Sequence, residues 1–247
     1  MAELFGLIGK NLTHSFSKTY FEKKFTELNL PAYQYKNFEL QKIEDFPALL
    51  ETQKLLKGLN VTLPYKEEIL PFIDEISEEA QAIGAVNCIK MKNGKPFGYN
   101  TDVYGFSQSI KPFLDFNHQR ALILGTGGSS KAVAFALKKI GVDVLFVSST
   151  ASKKSEHVLL YEEVNELVMG SHKLIVNCTP LGMFPDVDSF PPIPYQHLSP
   201  EHLAYDLVYN PNETRFLKKA AERGAIVVNG LSMLKLQAEK SWAIWNG

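Results

Sequence analysis

The stretch 120–141, RALILGTGGSSKAVAFALKKIG, predicts a strand, a glycine-rich turn and a helix in direct succession. The residues ALIL at 121–124 are apolar and too few for a helix, so they predict a buried strand. The turn GTGGSS follows at 125–130, and apolar residues then recur at helical spacing over 133–140 until Gly141 ends the helix. Backbone N–H groups at the start of such a helix, at the positive end of its dipole, form a site for an anion. This succession of elements predicts a phosphate-binding site.

The turn differs at one position from the dinucleotide-binding pattern G-x-G-x-x-G. Gly125 and Gly127 match its first two glycines, and Ser130 takes the place of the third. Glycine lets a pyrophosphate approach the backbone, because a Cβ would keep it away. The alternative is a glycine turn that only joins a core strand to a core helix. The candidate phosphate ligands are Gly125, Thr126, Gly127, Gly128, Ser129 and Ser130.

Composition and charge narrow the class of protein. The 247 residues are 45% hydrophobic, which allows one large domain or two small ones. The net charge is −1 and the charges are scattered, so we expect neither nucleic acid nor a membrane surface as a partner. No apolar run approaches the roughly 18 residues of a membrane span, and the start of the chain lacks a secretory pattern. Cys88 and Cys178 are isolated, which indicates a reducing compartment. We expect a cytoplasmic protein without a metal site.

Before residue 120 the chain alternates predicted strands and helices. Strands are predicted at 4–8, 33–38 and 58–63, helices at 15–30, 43–56 and 77–83, and Asn93-Gly94 predicts a hairpin within 85–99. A further helix is predicted to begin after Pro64, which would place Lys66 at its positive end. A cation is unfavourable there. Lys66 is therefore solvated, paired with Glu67, or directed into a cleft where it could serve acid–base chemistry.

Two helix starts carry further candidate residues. Ser15 can cap the first helix, and Ser17 lies in its first turn, so two hydroxyls stand at the positive end and could bind a carboxylate. The alternative is that Ser15 only caps and Ser17 is solvated. Asp102 precedes a helix predicted at 103–113, where it too could be no more than a cap.

After residue 120 the alternation resumes and leads to a fold class. Strands are predicted at 142–147, 174–178, 202–209 and 225–228, a helix at 214–223, a helix with an edge strand in 151–172 and a long loop at 184–200. Alternation predicts parallel α/β sheets with right-handed crossovers and ligands at the carboxyl ends of the strands. The final helix has one apolar stripe, made by Leu231, Leu234, Ala238, Trp242 and Trp245. We expect two blocks, about 1–103 and about 104–230, with this helix beyond the second.

Eight segments in this order resemble the shikimate dehydrogenase family. They are GKNLTHSFS at 9–17, NVTLPYKEE at 60–68, GAVN at 84–87, NTD at 100–102, GTGGSS at 125–130, NCTPLGM at 177–183, YDLVY at 205–209 and GLSMLKLQ at 230–237. The resemblance covers nearly the whole chain. It implies reversible, NADPH-dependent reduction of 3-dehydroshikimate to shikimate in aromatic amino-acid biosynthesis. It also implies a substrate-binding domain at 1–103 and 231–247 and a Rossmann-like dinucleotide-binding domain at 104–230.

The resemblance also implies roles for individual residues. Ser15 and Ser17 hold the substrate carboxylate. The ring hydroxyls and carbonyl are lined by Asn60, Thr62, Lys66, Asn87, Asp102, Tyr209 and Gln237, and the nicotinamide side is contacted by Leu207, Gly230 and Met233. Hydride goes to the substrate's C3 carbonyl, with Lys66 as general acid and Asp102 holding it in place. Which of the two carries the proton stays open, because a close Lys–Asp pair titrates as a unit.

The chain departs from the family pattern where the 2′-phosphate of NADP is expected. An N-R-T triplet is usual after the second nucleotide-binding strand, and its arginine meets that phosphate. The three residues here are Ser148, Ser149 and Thr150. No acidic residue that would favour NAD is present, and Lys153 and Lys154 follow within one turn. We therefore predict that the protein prefers NADP to NAD, by a smaller margin than an arginine would give. Ser232 also replaces a glycine that is usual in the family's final motif, which alters the predicted binding site of the nicotinamide.

Two other functions remain open from the sequence. A quinate or quinate/shikimate dehydrogenase would differ in pocket contacts to one extra hydroxyl. A non-catalytic NADPH-sensing module could use the same fold, but a sensor has no need for a proton donor such as Lys66 beside Asp102. The oligomeric state is not predicted.

Overall fold

A computed structural model describes residues 3–13 and 15–247. The chain forms two compact units, which we call the first unit (Met1–Thr101 with Ala238–Gly247) and the second unit (Asp102–Gln237). Each contains one six-stranded sheet with helices, which confirms the predicted α/β class. His14, inside the segment 9–17, lies outside the described residues.

The first unit is built on a mixed sheet. Its strands are β1 (Glu3–Gly9), β2 (Tyr33–Glu39), β3 (Leu56–Val61), β4 (Glu75–Ile76), β5 (Cys88–Lys92) and β6 (Lys95–Tyr99), and its helices are α1 (Phe16–Glu27), α2 (Phe46–Thr52) and α3 (Glu78–Ile83). The strand order is β2-β1-β3-β5-β6-β4, with β5 antiparallel to both β3 and β6. Asn93 and Gly94 both have positive φ, 52° and 78°, as a two-residue hairpin turn requires.

Two predicted helices of the first unit can be compared with the structure, the one capped by Ser15 and the one at 43–56. The Ser15 hydroxyl accepts the Lys18 N–H at 3.4 Å, and α1 buries Phe21 and Phe25. The helix predicted at 43–56 is shorter than expected. A 3₁₀ turn at Ile43–Asp45 precedes α2, and β3 already begins at Leu56.

The helix predicted after Pro64 is wrong. Residues 63–69 form turns, followed by a short 3₁₀ segment at Leu70–Phe72. Tertiary packing overrides the local signal here: Tyr65 and Ile69 are both buried, and the Tyr65 hydroxyl donates to the Leu40 carbonyl at 2.6 Å. Lys66 therefore does not stand at the positive end of a regular helix.

The second unit is built on a wholly parallel sheet. Its strands are β7 (Arg120–Leu124), β8 (Asp143–Ser148), β9 (Val158–Leu160), β10 (Leu174–Asn177), β11 (Leu203–Asp206) and β12 (Ile226–Val228), and its helices are α4 (Asp102–Ile110), α5 (Gly128–Lys139), α6 (Glu166–Ser171) and α7 (Arg215–Ala221). The order is β12-β11-β10-β7-β8-β9. Strand order reverses between β7 and β10, which is where ligands bind in such sheets.

Three predictions about the second unit can be compared with its structure. Strand β9 is the predicted edge strand, and 184–200 is the predicted loop apart from a 3₁₀ turn at Tyr195–His197. The strand predicted at 202–209 ends at Asp206, because the chain bends at Leu207.

The last helix, α8 (Leu231–Asn246), belongs to both units, since the division falls after Gln237. In the first unit, Ala238 and Trp245 of its predicted stripe are buried, and the Trp245 indole donates to the Ile89 carbonyl at 2.9 Å. Burial raises the pKa of the Cys88 thiol to about 12. None of the helices in the described ranges has the length and apolar character needed to cross a membrane.

Candidate active site

The glycine turn after β7 leaves the start of α5 open. Gly125 has a φ of +107°, and a Cβ there would lie 3.2 Å from the Thr179 methyl group, so the position requires glycine. Gly127 caps α5, and a Cβ on it would meet nothing within 4 Å. The backbone at the helix start thus borders open space, as a phosphate site needs.

Ser130 supplies a second feature of this turn. The residue is fully buried, and its hydroxyl has no hydrogen-bond partner within residues 3–13 and 15–247. The hydroxyl oxygen lies 3.3 Å from the position that a Cβ on Gly125 would take, so it lies against the turn. A buried hydroxyl is rarely left unpaired. The turn, the twelve-residue helix behind it and this hydroxyl together fit the pyrophosphate of a dinucleotide.

The structure separates the two lysines that follow β8. The Lys153 ammonium donates to the Thr126 hydroxyl at 2.9 Å and so stands beside the glycine turn. The Lys154 ammonium instead pairs with Glu163 at 2.5 Å, and the Leu160 N–H and Lys154 together lower the pKa of that carboxyl. Of the two lysines, Lys153 is therefore the one that lies beside the glycine turn, and a role at the 2′-phosphate stays a prediction.

The residues around Lys153 differ in accessibility. Ser149 and Thr150 are exposed, whereas Ser148 is buried and its hydroxyl accepts the Thr150 N–H at 3.0 Å. Ser148 therefore shapes the turn after β8, and Ser149 and Thr150 offer the exposed hydroxyls.

The predicted nicotinamide contacts lie together in the second unit. A Cβ on Gly230 would overlap the Leu207 carbonyl, so only glycine allows the two backbones to approach this closely. The Gly230 N–H donates to the Val208 carbonyl at 3.1 Å. Met233 lies in the first turn of α8 and is buried, and its carbonyl lies against Gly105 of α4.

Sequence reasoning missed a buried carboxylate beside these residues. Asp206 accepts hydrogen bonds from the Asn177 amide at 2.9 Å, the Val208 N–H at 3.0 Å and the Thr214 hydroxyl at 2.6 Å. Burial raises its pKa to about 6. The available signal was position, because Asn177 and Asp206 are polar residues that each end a buried strand.

In the first unit a buried cluster joins two of the predicted substrate residues. The Asn60 amide oxygen accepts the Tyr35 hydroxyl at 2.9 Å, and its NH₂ donates to the Ser241 hydroxyl at 2.9 Å and the Asn87 carbonyl at 3.4 Å. The Asn87 amide oxygen accepts the Thr101 N–H at 2.6 Å. Tyr35 and Ser241 carry no motif signal, so the sequence analysis did not find them.

The two serines of α1 have different environments. Ser15 accepts the Lys18 N–H at the cap, which leaves its own O–H as a donor. Ser17 is only 8% exposed, so the alternative in which it is merely solvated is wrong. Its side chain lies near the Tyr35 phenol, whose pKa burial raises well above its ordinary value. Ser17 thus lies beside the cluster that contains Asn60.

The remaining predicted residues divide between the units. Thr62 and Lys66 are half-buried beyond the end of β3, where the Lys66 carbonyl accepts the Val86 N–H at 2.8 Å, next to Asn87. In the second unit, Asp102 is buried at the start of α4, Tyr209 is half-buried after β11, and Gln237 is buried in α8. Within the described ranges, no group of three or more His, Cys, Asp or Glu side chains could hold a metal ion.

Comparisons with known proteins agree with this architecture. A family model described as the shikimate dehydrogenase substrate binding domain matches residues 7–89. A shikimate dehydrogenase (NADP(+)) from Carboxydothermus hydrogenoformans is 36% identical over 259 aligned residues, which cover 99% of this chain and 92% of that protein. The chain belongs to the shikimate dehydrogenase family.

Solved structures of related proteins show the same fold. One is a shikimate 5-dehydrogenase from Thermus thermophilus in complex with NADP(H) and shikimate. It is 34% identical to this chain with a TM-score of 0.87, and the match covers 99% of this chain and 94% of that one. A quinate dehydrogenase from Corynebacterium glutamicum, in complex with NAD, is 29% identical with a TM-score of 0.87 and coverages of 100% and 94%. Because both have the same TM-score, fold alone does not separate the two substrates.

Proposed function

We propose that this protein is an NADP-dependent shikimate dehydrogenase that reversibly reduces 3-dehydroshikimate to shikimate in aromatic amino-acid biosynthesis. Family membership supports the reaction. The structural observation that carries the proposal is the open glycine turn at 125–130. Inside it lies the buried Ser130 hydroxyl, which has no hydrogen-bond partner among the described residues, and beside it lies the Lys153 ammonium. A turn that only joined a strand to a helix would need neither feature.

The domain roles form part of this proposal. Residues 1–103 and 231–247 bind the substrate, and residues 104–230 bind the dinucleotide. The match of a substrate-binding family model to residues 7–89 supports the first role, and the parallel sheet with its glycine turn supports the second. A cytoplasmic location stays a prediction from composition.

The cofactor, when bound, supplies the hydride for reduction of the C3 carbonyl. Residues 125–130 hold its pyrophosphate through backbone N–H groups and the Ser130 hydroxyl. Lys153 meets the 2′-phosphate as a point charge, and the exposed hydroxyls of Ser149 and Thr150 add hydrogen bonds. Leu207, Gly230 and Met233 line the nicotinamide side.

The substrate is a small acid with several hydroxyls, and its recognition needs convergent polar groups. Ser15 and Ser17 bind the carboxylate. The ring hydroxyls are met by Asn60, Thr62, Asn87, Tyr209 and Gln237. Both N–H groups of the Asn60 amide already have partners, so Asn60 can bind a substrate hydroxyl only by accepting a hydrogen bond from it.

The proton for the developing alkoxide comes from Lys66, and Asp102 holds the donor and the substrate hydroxyl in position. Asp102 is 4% exposed and begins α4. A non-catalytic NADPH sensor would have no use for these two residues.

A quinate or quinate/shikimate dehydrogenase is the second candidate, favoured by the structural match to a quinate dehydrogenase. Steady-state turnover of shikimate and quinate, each with NADP and with NAD, tests both. We expect the largest kcat/KM for shikimate with NADP. Faster oxidation of quinate would support the second candidate, and the absence of turnover in all four combinations would contradict both.

A further inference from the structure

Two buried polar residues end neighbouring strands of the second unit. Asn177 closes β10 and Asp206 closes β11, and the two are paired in the parallel register of these strands. Both are fully buried, and the Asn177 amide donates to Asp206 Oδ1 at 2.9 Å. Strand β10 is the direct neighbour of β7, whose carboxyl end carries the glycine turn, and β11 is the next strand beyond β10.

The hydrogen bonds of this pair are directed inward. Asn177 donates its second N–H to the Leu181 carbonyl at 3.4 Å, and its amide oxygen accepts both the N–H and the hydroxyl of Thr179, at 3.0 and 2.6 Å. All positions of the Asn177 amide are thus used. Asp206 accepts three donors and is 0% exposed. Neither side chain is placed to touch a ligand directly.

What the pair holds is the backbone on which the nicotinamide contacts depend. The Leu207 N–H donates to the Asn177 carbonyl at 2.9 Å, and the Val208 N–H donates to Asp206. The Val208 carbonyl in turn accepts the Gly230 N–H, where glycine alone allows the close approach to Leu207. These links position Leu207 against the start of α8.

We propose that Asp206, held by Asn177 and Thr214, is a positioning residue for the nicotinamide end of the cofactor site. The inference rests on the proposed function, since it assigns Leu207 and Gly230 to that end. A carboxylate suits the role because an amide N–H, a backbone N–H and a hydroxyl all converge on it, and its two oxygens offer an acceptor to each of them. A hydrophobic side chain would leave three buried donors without partners.

The chain offers a conservative variant and a disruptive one at this position. In Asp206→Asn, the amide oxygen can take the place of Oδ1, and the NH₂ group can donate to the Thr214 hydroxyl, which turns to accept. The contacts of this side chain with Asn177, Val208 and Thr214 are then kept, and only the Thr214 O–H loses its acceptor. In Asp206→Ala all three contacts are lost. Thr214→Val removes one donor, together with the cap that accepts the Leu217 N–H, while leaving Asp206 in place. Thr214→Ser keeps the hydroxyl as its matched control.

Binding by titration calorimetry, with two probes, tests the proposal. NADPH occupies the whole site, whereas adenosine 2′,5′-bisphosphate lacks the nicotinamide. We expect Asp206→Ala to weaken NADPH binding roughly tenfold or more, as the loss of one or two hydrogen bonds implies. Adenosine 2′,5′-bisphosphate should change by less than about twofold. Asp206→Asn and Thr214→Ser should bind both probes like the wild type. Thr214→Val should bind NADPH more weakly and adenosine 2′,5′-bisphosphate with unchanged affinity.

Equal losses for both probes would overturn the proposal, because the network would then support the second unit as a whole. Unchanged NADPH affinity in Asp206→Ala and Thr214→Val would also overturn it. If Asp206→Ala does not fold, the Thr214→Val and Thr214→Ser pair decides the question. A wild-type protein that binds neither probe would overturn the proposed function itself, and this inference with it.

Discussion

The 2′-phosphate site gives the sharpest prediction, because the chain lacks the family arginine and carries two adjacent lysines instead. Lys153 reaches Thr126 in the glycine turn at 2.9 Å, whereas Lys154 is engaged with Glu163 at 2.5 Å. Both are exposed and both carry one positive charge. Lys154→Ala is therefore a matched control for Lys153→Ala, equal in charge removed and adjacent in sequence.

The expected loss of NADPH affinity in Lys153→Ala follows from the exposure of the Lys153 side chain. A charge-assisted hydrogen bond contributes about 1.5–3 kcal/mol, but exposed ion pairs contribute about 1 kcal/mol or less. Because Lys153 is exposed and its phosphate partner carries nearly two charges, we expect a loss of about 1–1.5 kcal/mol, or roughly five- to tenfold in the Kd of NADPH. NADH lacks the phosphate and should lose less than about twofold.

The assay is a fluorescence titration of the bound nicotinamide, with NADPH and NADH, on the wild type and both variants. Raising the salt concentration from about 25 mM to about 300 mM should erode the wild-type preference for NADPH, because an exposed charge contact is screened. In Lys153→Ala the remaining preference should depend less on salt. Lys154→Ala should behave like the wild type in every titration.

Three outcomes would refute this reasoning. Equal losses of NADPH and NADH affinity in Lys153→Ala would mean that the lysine supports the turn and does not meet the phosphate. A larger effect of Lys154→Ala would mean that its pairing with Glu163 does not persist. A wild-type preference for NADH would remove the 2′-phosphate site altogether.

Three further predictions concern the substrate site and stability. Lys66→Ala should lower kcat about 10²-fold or more with the Kd of NADPH unchanged, and Asp102→Asn should also be slow; near-normal turnover in Lys66→Ala would remove it from the mechanism. Ser15→Ala or Ser17→Ala should raise the KM for shikimate roughly tenfold without affecting cofactor binding, and an unchanged KM in both would leave only the structural roles. The pKa of Asp206 is raised from 3.8 to about 6, so its protonated form stabilises the fold fully below pH 3.8, and this contribution is lost as the pH rises through about 6. Urea unfolding between about pH 4 and pH 7 should show this loss, up to roughly 3 kcal/mol, in the wild type relative to Asp206→Asn, and parallel curves would contradict it.

Local chemistry was enough to predict much of the fold. The apolar run at 121–124, the glycine turn and the helical periodicity after it predicted β7 and α5, because these signals act between residues close in sequence. Asn93-Gly94 predicted the hairpin for the same reason, since few other residues adopt positive φ easily. The Ser15 cap was also predicted from sequence and is present.

The contacts that organise the candidate site lie beyond such local signals. Asn60 meets Ser241 across 181 residues, and Asn177 meets Asp206 across 29, so only the packing of α8 and the register of β10 with β11 bring them together. The sequence placed Lys153 and Lys154 near the expected 2′-phosphate, but it could not show that only Lys153 lies beside the glycine turn.

Tertiary packing also explains why the helix predicted after Pro64 is absent. The stretch after Pro64 carries helix signals, yet burial of Tyr65 holds it in turns. Propensity contributes tenths of a kcal/mol per residue, whereas burying one large side chain contributes about 1.5–3 kcal/mol, so the tertiary environment prevails wherever the two disagree. The sequence by itself therefore determined the order and type of most elements and the residue types at the glycine turn. The tertiary structure alone decided which distant side chains meet, because hydrogen bonds depend on distances in space that no local pattern specifies.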